Sequence, residues 1–243
     1  IDKLAQNKPR VVVLNKSDLS DKAKLNKWIS YYQSKGIKAI PVDTLKGSGV
    51  NKIVEECKNV TKDKMDALKE KGRKERAIRV MIVGVPNVGK SSLINKLTGR
   101  KSTQTGDRPG VTKGKQWVRL KGNLELLDTP GILWPKFEDQ KIALNLAFTR
   151  AIKDEILDID TLGLKFIEKM SEIEPEKLKA RYKLDSLGEE PLETMEMIGR
   201  KRGFILGRNE LDYTRIAKTV LNEFREGKLG QITLEVPEDI EEA

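Results

Sequence analysis

The sequence lacks histidine altogether and contains a single cysteine, Cys57, among its 243 residues. The first absence excludes histidine-dependent catalysis within these residues, and the second excludes a disulfide within the chain. Cys57 stands at an apolar position of a predicted helix, so we expect a buried thiol rather than a reactive one. No apolar run approaches the roughly 18 residues of a membrane span, and no signal-peptide pattern opens the sequence. The composition therefore predicts a cytoplasmic protein.

Positive charge is plentiful but unevenly distributed. Residues 1–139 hold 30 Lys and Arg against 15 Asp and Glu, a net of +15, whereas residues 140–243 hold 17 against 22, a net of −5. The basic part predicts a polyanionic partner, nucleic acid first, because neutralised phosphates release counterions. The alternative is a set of lysines that serve solubility. The length favours two domains, which we place at 1–139 and 140–243.

A glycine-rich stretch, residues 84–91 (GVPNVGKS), is central to the chain. It follows the apolar run 78–83 and precedes the helical pattern 92–97, which is the strand, loop and helix order of a P-loop. Its backbone N–H groups can wrap a phosphate chain, and the helix dipole points at the same anion. Lys90 would reach the β- and γ-phosphates and Ser91 would bind Mg²⁺; the alternative is a plain glycine turn. The predicted nucleotide contacts here are Asn87, Val88, Gly89, Lys90, Ser91 and Ser92.

Residues 15–18 (NKSD) follow a short apolar run and predict guanine recognition. Asp18 can accept hydrogen bonds from the ring N–H and the exocyclic amine of guanine, whereas adenine would leave this carboxylate unpaired. Lys16 would lie along the base, and Asn15 would tie this loop to the P-loop. Residues 43–49 follow another predicted strand and are assigned to the guanine site by position only. Alone, the NKSD pattern is also common in polar turns, so its weight comes from its combination with the P-loop.

Two further segments predict the switch regions of a nucleotide hydrolase. Residues 103–112 form a polar stretch that suits a mobile loop, whose Thr112 could complete the Mg²⁺ shell only when a γ-phosphate is present. A predicted hairpin, 116–127, ends in Asp128, which can hold Mg²⁺ through water, and the N–H of Gly131 can approach the γ-phosphate. We therefore assign catalysis to Lys90, Thr112 and Gly131, and Mg²⁺ binding to Ser91, Thr112 and Asp128.

The order of these motifs is permuted. In a Ras-like GTPase the P-loop comes first and the guanine motif late, whereas here residues 15–18 precede residues 84–91. This order predicts a circularly permuted P-loop GTPase domain of the α/β class, with a Ras-like mixed sheet and helices on both faces, followed by a small all-helical domain. The charged segment 60–77 is the natural joint of the permutation. We expect it to be a solvated connector, with an RNA phosphate contact as the alternative.

Beyond residue 140 the pattern is helical. The predicted helices span 140–153, 160–171, 175–183, 191–202 and 210–226, the last capped by Asn209, and 232–236 is a candidate strand. A basic cluster with an aromatic residue, residues 200–204 (RKRGF) together with Arg208, lies in this otherwise acidic half. The cluster predicts an RNA contact, or alternatively a helix end whose charges complement the helix dipole.

Four stretches resemble the bacterial ribosome biogenesis GTPase A family, also called RbgA or YlqF. They are residues 15–18, 84–91, 108–112 (RPGVT) and 127–139 (LDTPGILWPKFED). The resemblance extends along essentially the whole chain. It implies GTP and GDP as ligands with Mg²⁺, GTP hydrolysis stimulated by the ribosome, and a role in assembly of the large (50S) ribosomal subunit. The implied partners are that subunit and its rRNA, contacted by the C-terminal helices, with no membrane or DNA partner and a monomeric free protein.

Two features depart from a Ras-like enzyme. The strand that should lie between the P-loop strand and the strand before residue 15 would have to precede residue 11, where too few residues remain for it and its crossover helix. We therefore expect the natural protein to start roughly 40–70 residues earlier. The family's proposed catalytic histidine lies in that upstream region. Ile132 stands where Ras-type enzymes place a water-orienting glutamine. This difference predicts either that another group orients the water or that hydrolysis is slow until the ribosome completes the site.

Asn87 resembles the asparagine with which potassium-activated GTPases hold K⁺ between the phosphates; a simple turn residue is the alternative. Ile132 also leaves open a different class of protein, a nucleotide-gated RNA-binding scaffold with negligible hydrolysis. A third hypothesis is a GTPase that acts on tRNA or on a protein partner. Turnover with and without ribosomal subunits separates the first two, and steep salt dependence of binding favours an rRNA partner over the third.

Overall fold

The computed structural model describes residues 8–73, 76–99, 117–120, 122–127 and 139–241. The chain divides into two compact units. The α/β unit consists of Ile1–Asp18, Lys22–Leu133 and Val236–Ala243, and the helical unit consists of Leu19–Asp21 and Trp134–Glu235. The predicted domain boundary between residues 139 and 140 stays a prediction. The Thr112, Asp128, Gly131 and Ile132 assignments lie outside the described residues.

The α/β unit alternates strands and helices, as the sequence predicts. Its strands are β1 (Val11–Asn15), β2 (Lys38–Val42), β3 (Ile78–Met81), β4 (Trp117–Leu120) and β5 (Leu124–Leu127). Its helices include α1 (Lys22–Ser34), α2 (Val50–Asn59), α3 (Lys62–Glu70) and α4 (Lys90–Thr98). Helix α3 has no buried residue, in agreement with the charged connector predicted for this segment.

The strands form two sheet pieces. Strand β1 is parallel to β2, with Val11 opposite Lys38 and Asn15 opposite Val42. Strand β5 lies between β3, to which it is parallel, and β4, to which it is antiparallel. The predicted hairpin of β4 and β5 is therefore confirmed. Within the described ranges β1 pairs only with β2, and β3 pairs only with β5.

Both sheet pieces contribute to one hydrophobic core. Alternate residues of β5, Leu124 and Leu126, are only 2% and 0% exposed and point into it, while the intervening Glu125 does not. Helices α2 and α4 contribute further buried residues, namely Val50, Ile53, Leu93, Ile94 and Leu97. Cys57 packs against this core, and burial, assisted by the nearby Glu56, raises the pKa of its thiol. The side chain is only partly buried, whereas the sequence predicts a buried thiol.

The helical unit is a bundle whose helices begin at recognisable caps. It contains α5 (Gln140–Phe148), α6 (Ile159–Ile173), α7 (Pro175–Tyr182), α8 (Pro191–Arg202) and α9 (Tyr213–Arg225). Asp139, Asp158 and Asp212 accept hydrogen bonds from backbone N–H groups in the first turns of α5, α6 and α9. The fully buried core includes Phe148, Phe166, Ile167, Met170, Ile198, Ile216, Val220 and Leu221. None of the helices that the structure describes is long and apolar enough to cross a membrane.

Two predicted boundaries and one predicted strand in this unit were wrong. Helix α5 ends at Phe148 rather than at residue 153. Helix α9 begins after Asp212, not Asn209, because Asn209 has a φ of 64° and ends a short 3-10 turn, Gly207–Asn209. The predicted strand 232–236 is not formed, since the N–H of Ile232 donates instead to the carbonyl of Leu19.

Candidate functional site

The P-loop lies between the end of β3 and the start of α4. The ammonium of Lys90 donates hydrogen bonds to the carbonyl oxygens of Gly84 at 2.7 Å and Val85 at 2.6 Å, so it lies within the curve of the loop. Burial lowers the pKa of Lys90 below its ordinary value. An anionic phosphate in the same loop would favour the charged form again. The loop thus presents a partly desolvated cation at the place where the sequence predicts the phosphates.

Asn15, the last residue of β1, connects three loops. Its amide Nδ2 donates to the carbonyl of Val88 in the P-loop at 2.7 Å, and its Oδ1 accepts from the hydroxyl of Thr44 in the loop after β2. Gly89, which has a φ of 95°, leaves the space for this contact, because a Cβ there would collide with the Asn15 amide. A single side chain therefore fixes the guanine motif to the P-loop and to the loop 43–49.

Thr44 is a site residue that the sequence analysis missed, having assigned the loop 43–49 only by position. Its side chain and that of Asp43 are buried, and Asp43 Oδ1 accepts from the N–H of Lys46 at 3.0 Å. Leu45, which lies between Thr44 and Lys46, is 82% exposed. The pairing of β1 with β2 could have indicated Thr44. Asn15 lies opposite Val42, and Thr44 follows Val42 by two residues at the same sheet edge.

The remaining residues of the guanine motif turn away from the strand. Lys16 has a φ of 55°, and the N–H of Ser17 donates to the carbonyl of Val42 at 3.1 Å. Asp18 follows directly. Because the carboxyl ends of β1, β2 and β3 all lead into these loops, the site lies where open α/β sheets bind their ligands.

The metal ligands are only partly described. Ser91 and Ser92 are in the first turn of α4, the end of a helix that favours anions. Among the residues that the structure describes, no group of three or more Cys, Asp or Glu side chains could hold a metal ion. A hydroxyl at the start of a P-loop helix fits Mg²⁺, which binds few protein groups and takes its other ligands from phosphates and water.

The basic cluster of the helical unit is divided by the structure. Arg202 lies over the ring of Tyr182 at 5.2 Å, and its Nη2 donates to Glu223 at 3.0 Å. Glu223 is 8% exposed and also accepts from Arg181, at 2.9 and 2.6 Å, and from the Tyr182 hydroxyl at 2.9 Å. Burial raises the pKa of this carboxyl, but the hydrogen bonds from Arg181 and Tyr182 outweigh burial and hold the pKa below its ordinary value. Arg202 thus holds three helices together.

The other members of the cluster lie near the loop that joins α8 to α9. The guanidinium carbon of Arg215 lies 4.5 Å from the centre of the Phe204 ring and covers one face of it. That face is therefore not accessible to a binding partner. Arg200 lines a shallow depression of about 370 Å³, which Glu196 and Glu210 also line. Lys201 and Arg208 are exposed, as are the apolar side chains of Ile205 and Leu206.

Comparisons with known proteins identify the family to which the chain belongs. A family model described as 50S ribosome-binding GTPase matches residues 79–193, which begins at the P-loop strand and leaves residues 15–18 outside the match. Ribosome biogenesis GTPase A of Bacillus cereus is 47% identical over 242 residues, covering 100% of this chain and 82% of that protein. Ribosome biogenesis GTPase A of Thermotoga maritima is 31% identical over 233 residues, covering 96% of this chain and 78% of that protein.

Two solved structures of YlqF are similar over nearly the whole chain. GNP-bound YlqF from T. maritima has a TM-score of 0.62 and 28% identity, covering 96% of this chain and 84% of that one. A GDP-bound YlqF structure has a TM-score of 0.63 and 27% identity, covering 94% and 84%. The permuted P-loop fold, the family and the enzyme class predicted from the sequence are thereby confirmed. The chain is a GTPase and belongs to the ribosome biogenesis GTPase A family.

Proposed function

We propose that the chain acts as a GTP-hydrolysing assembly factor for the large ribosomal subunit, in which the bound nucleotide controls rRNA binding. The observation that carries this proposal is the hydrogen bonding of Asn15 to both the P-loop and the Thr44 loop. This arrangement holds a base site and a phosphate site at one sheet edge, as a guanine nucleotide requires. The names of the relatives, ribosome biogenesis GTPase A, supply the biological setting.

The guanine base would bind between Asp18, Lys16 and the loop 43–49. The Asp18 carboxylate accepts from the two N–H groups on one edge of guanine, and the stem of Lys16 covers one face of the ring. Leu45 is exposed in this loop, and its backbone N–H would donate to the guanine carbonyl oxygen. Guanine is selected because adenine would leave both the carboxylate and this N–H without partners.

The phosphates would bind in the P-loop. The N–H groups of Val88 and Gly89 and those of Ser91 and Ser92 at the α4 N-terminus point at the phosphate chain. Lys90 exchanges the carbonyl oxygens of its own loop for the β- and γ-phosphates. Ser91, Thr112 and Asp128 would hold Mg²⁺, which neutralises charge on the phosphate oxygens when bound.

Hydrolysis transfers the γ-phosphoryl group to water. The water oxygen forms a bond to the γ-phosphorus as the bond from that phosphorus to the β–γ bridging oxygen breaks, and GDP leaves with the bridging oxygen. The proton that the water loses passes to a phosphate oxygen or to solvent, and the γ-phosphoryl group is released as inorganic phosphate. The N–H of Gly131 stabilises the charge on the γ-phosphoryl oxygens, and Lys90 stabilises charge on the leaving group. Because Ile132 cannot orient the water, intrinsic turnover is slow and the ribosomal subunit accelerates it. K⁺ held by Asn87 would supply further positive charge.

The rRNA contact would involve the basic residues that the helical unit leaves exposed. Lys201 and Arg208 are exposed near the α8–α9 loop, whereas Arg202 is occupied by Glu223. The net charge of +15 in residues 1–139 adds a second, less specific attraction to rRNA.

Replacing Lys201 and Arg208 together by glutamine should weaken binding to purified large subunits. We expect an affinity loss of about tenfold, and a slope of log K against log salt that is smaller by about 1–2, since each phosphate contact contributes roughly one unit. Sedimentation with large subunits over a series of KCl concentrations measures both quantities. A matched control replaces Lys165 and Lys169 on α6 by glutamine, which removes the same charge from the same unit. Equal losses in both double variants would contradict a specific contact.

A further inference from the structure

The chain passes into the helical unit directly after the residue that reads guanine. Asp18 is the last residue of the first α/β segment, Leu19–Asp21 belongs to the helical unit, and Lys22 returns to the α/β unit. Leu19–Asp21 therefore belongs to a different compact unit from Asp18, the residue that precedes it. Neither the P-loop nor the hydrolysis mechanism uses these residues.

Leu19–Asp21 is fixed by two backbone hydrogen bonds and by side-chain packing. The carbonyl of Leu19 accepts from the N–H of Ile232 at 2.9 Å, and the N–H of Asp21 donates to the hydroxyl of Thr233 at 3.1 Å. The Leu19 side chain lies against Gly227, where a Cβ would come within 2.7 Å of its Cδ2 atom. Gly227 also has a φ of 74°, so both its backbone and its lack of a side chain suit this contact.

The segment that receives Leu19–Asp21 is itself well anchored. In residues 227–233, which follow α9, Leu229 and Ile232 are buried. The carbonyl of Gln231 accepts from the ammonium of Lys177 at 2.6 Å. At the end of α9, Arg225 donates to the carbonyls of Phe148 and Ala147 and pairs with Asp154. Thr233 is thus a fixed hydrogen-bond acceptor rather than part of a free tail.

Both neighbours of Asp18 in the sequence form backbone hydrogen bonds. The preceding residue, Ser17, is bonded to Val42, and the following residue, Leu19, is bonded to Ile232. A carboxylate that must accept two parallel hydrogen bonds from guanine gains affinity when its backbone is fixed in advance, since less freedom is lost on binding. Each hydrogen bond also requires good geometry at the oxygen, so a small displacement weakens both.

We propose that Leu19, Asp21 and Thr233 are positioning residues for guanine recognition: they hold the Asp18 backbone so that its carboxylate meets the N–H edge of the base. The inference rests on the proposed guanine site. Its consequence is that guanine specificity depends on residues that do not touch the nucleotide. Loss of the Thr233 hydroxyl should therefore change which base is bound, and not only how stable the protein is.

The test compares GDP with IDP, whose hypoxanthine base lacks the exocyclic amine and so gives Asp18 one hydrogen bond instead of two. Dissociation rates of fluorescently labelled GDP and IDP are measured for the wild type, Thr233→Val and Leu19→Ala. Thr233→Val keeps the shape of the side chain and removes the acceptor for the Asp21 N–H. We expect GDP to dissociate about three to ten times faster from this variant, with a similar decrease in its preference for GDP over IDP.

Thr219→Val is the matched control, because the Thr219 hydroxyl donates to the Arg215 carbonyl within α9, a contact that does not involve Leu19–Asp21. This variant should retain the wild-type rates and preference. Wild-type rates and preference in both Thr233→Val and Leu19→Ala would overturn the inference, as would faster dissociation of GDP and IDP by an equal factor. If the wild type itself fails to distinguish GDP from IDP, the proposed guanine site is wrong. If the wild type discriminates and the variants do so equally, only the inference fails.

Discussion

Replacing Asn15 by alanine is expected to weaken GDP binding by about 30- to 150-fold. The variant removes the donor to the Val88 carbonyl and the acceptor for the Thr44 hydroxyl, so the guanine motif, the P-loop and the Thr44 loop lose their common connection. Two such hydrogen bonds amount to about 2–3 kcal/mol, which corresponds to that loss of affinity if the free energy is lost from binding. Isothermal titration of the variant with GDP and Mg²⁺ measures the change.

Two further variants calibrate this result. Thr44→Val removes one of the two contacts and should cost about tenfold or less in affinity. Asn59→Ala makes the same chemical change at the exposed end of α2, where the amide donates to Glu56 at 3.5 Å, and should bind GDP normally. A folded Asn15→Ala protein that binds GDP within about threefold of the Asn59→Ala control would contradict the role given to Asn15.

Replacing Glu223 by glutamine is expected to destabilise the helical unit by about 2–4 kcal/mol. The carboxylate is 8% exposed and is shared by Arg181, Arg202 and Tyr182, which come from α7 and α8. Without its charge, two guanidinium groups remain without a counter-ion, and breaking such a pair costs several kcal/mol when it is fully buried. We take the lower part of that range because both arginines are about one third exposed. Urea unfolding followed by circular dichroism measures the loss.

The pH dependence of this variant follows from the lowered pKa of Glu223. A carboxyl whose pKa is lower in the folded state contributes stability above its ordinary value of 4.5, and this contribution is lost as the pH falls through the folded pKa. The stability difference between wild type and Glu223→Gln should thus be largest near neutral pH and shrink in acid. Glu168→Gln, which breaks an exposed pair with Lys165, should have little effect at either pH. A constant difference across this pH range would indicate loss of shape rather than of charge.

The parts of the fold that the sequence predicts well are those decided by local patterns. Helix α8 spans Pro191–Arg202 as predicted, because a proline starts it and Gly203, with a φ of 67°, ends it. The P-loop was placed correctly between β3 and α4 for a similar reason, since glycines, lysine and a following helix are contiguous in sequence. Family membership also followed from contiguous motifs, and the comparisons confirm it.

The features that the sequence could not predict depend on residues distant along the chain or on the conformation of a loop. Arg202 was grouped with an RNA-binding cluster because its neighbours are basic, but its partner is Glu223, on the following helix. The segment 232–236 has an apolar pattern that suits a strand. In the structure the N–H of Ile232 instead donates a hydrogen bond to the carbonyl of Leu19, which lies more than 200 residues earlier in the sequence. The Asn209 cap was wrong because Asp212, three residues later, is equally suitable in sequence and only the loop conformation distinguishes them.

The central claim is that this chain hydrolyses GTP slowly and that the large ribosomal subunit accelerates the reaction. Steady-state GTP turnover, with Mg²⁺, in K⁺ and in Na⁺ and with and without purified large subunits, tests it most directly. We predict stimulation by subunits of about tenfold or more, which corresponds to at least about 1.4 kcal/mol of transition-state stabilisation, and a larger effect in K⁺ than in Na⁺. Tight GTP binding without turnover in any of these conditions would contradict the claim and would leave a nucleotide-gated scaffold.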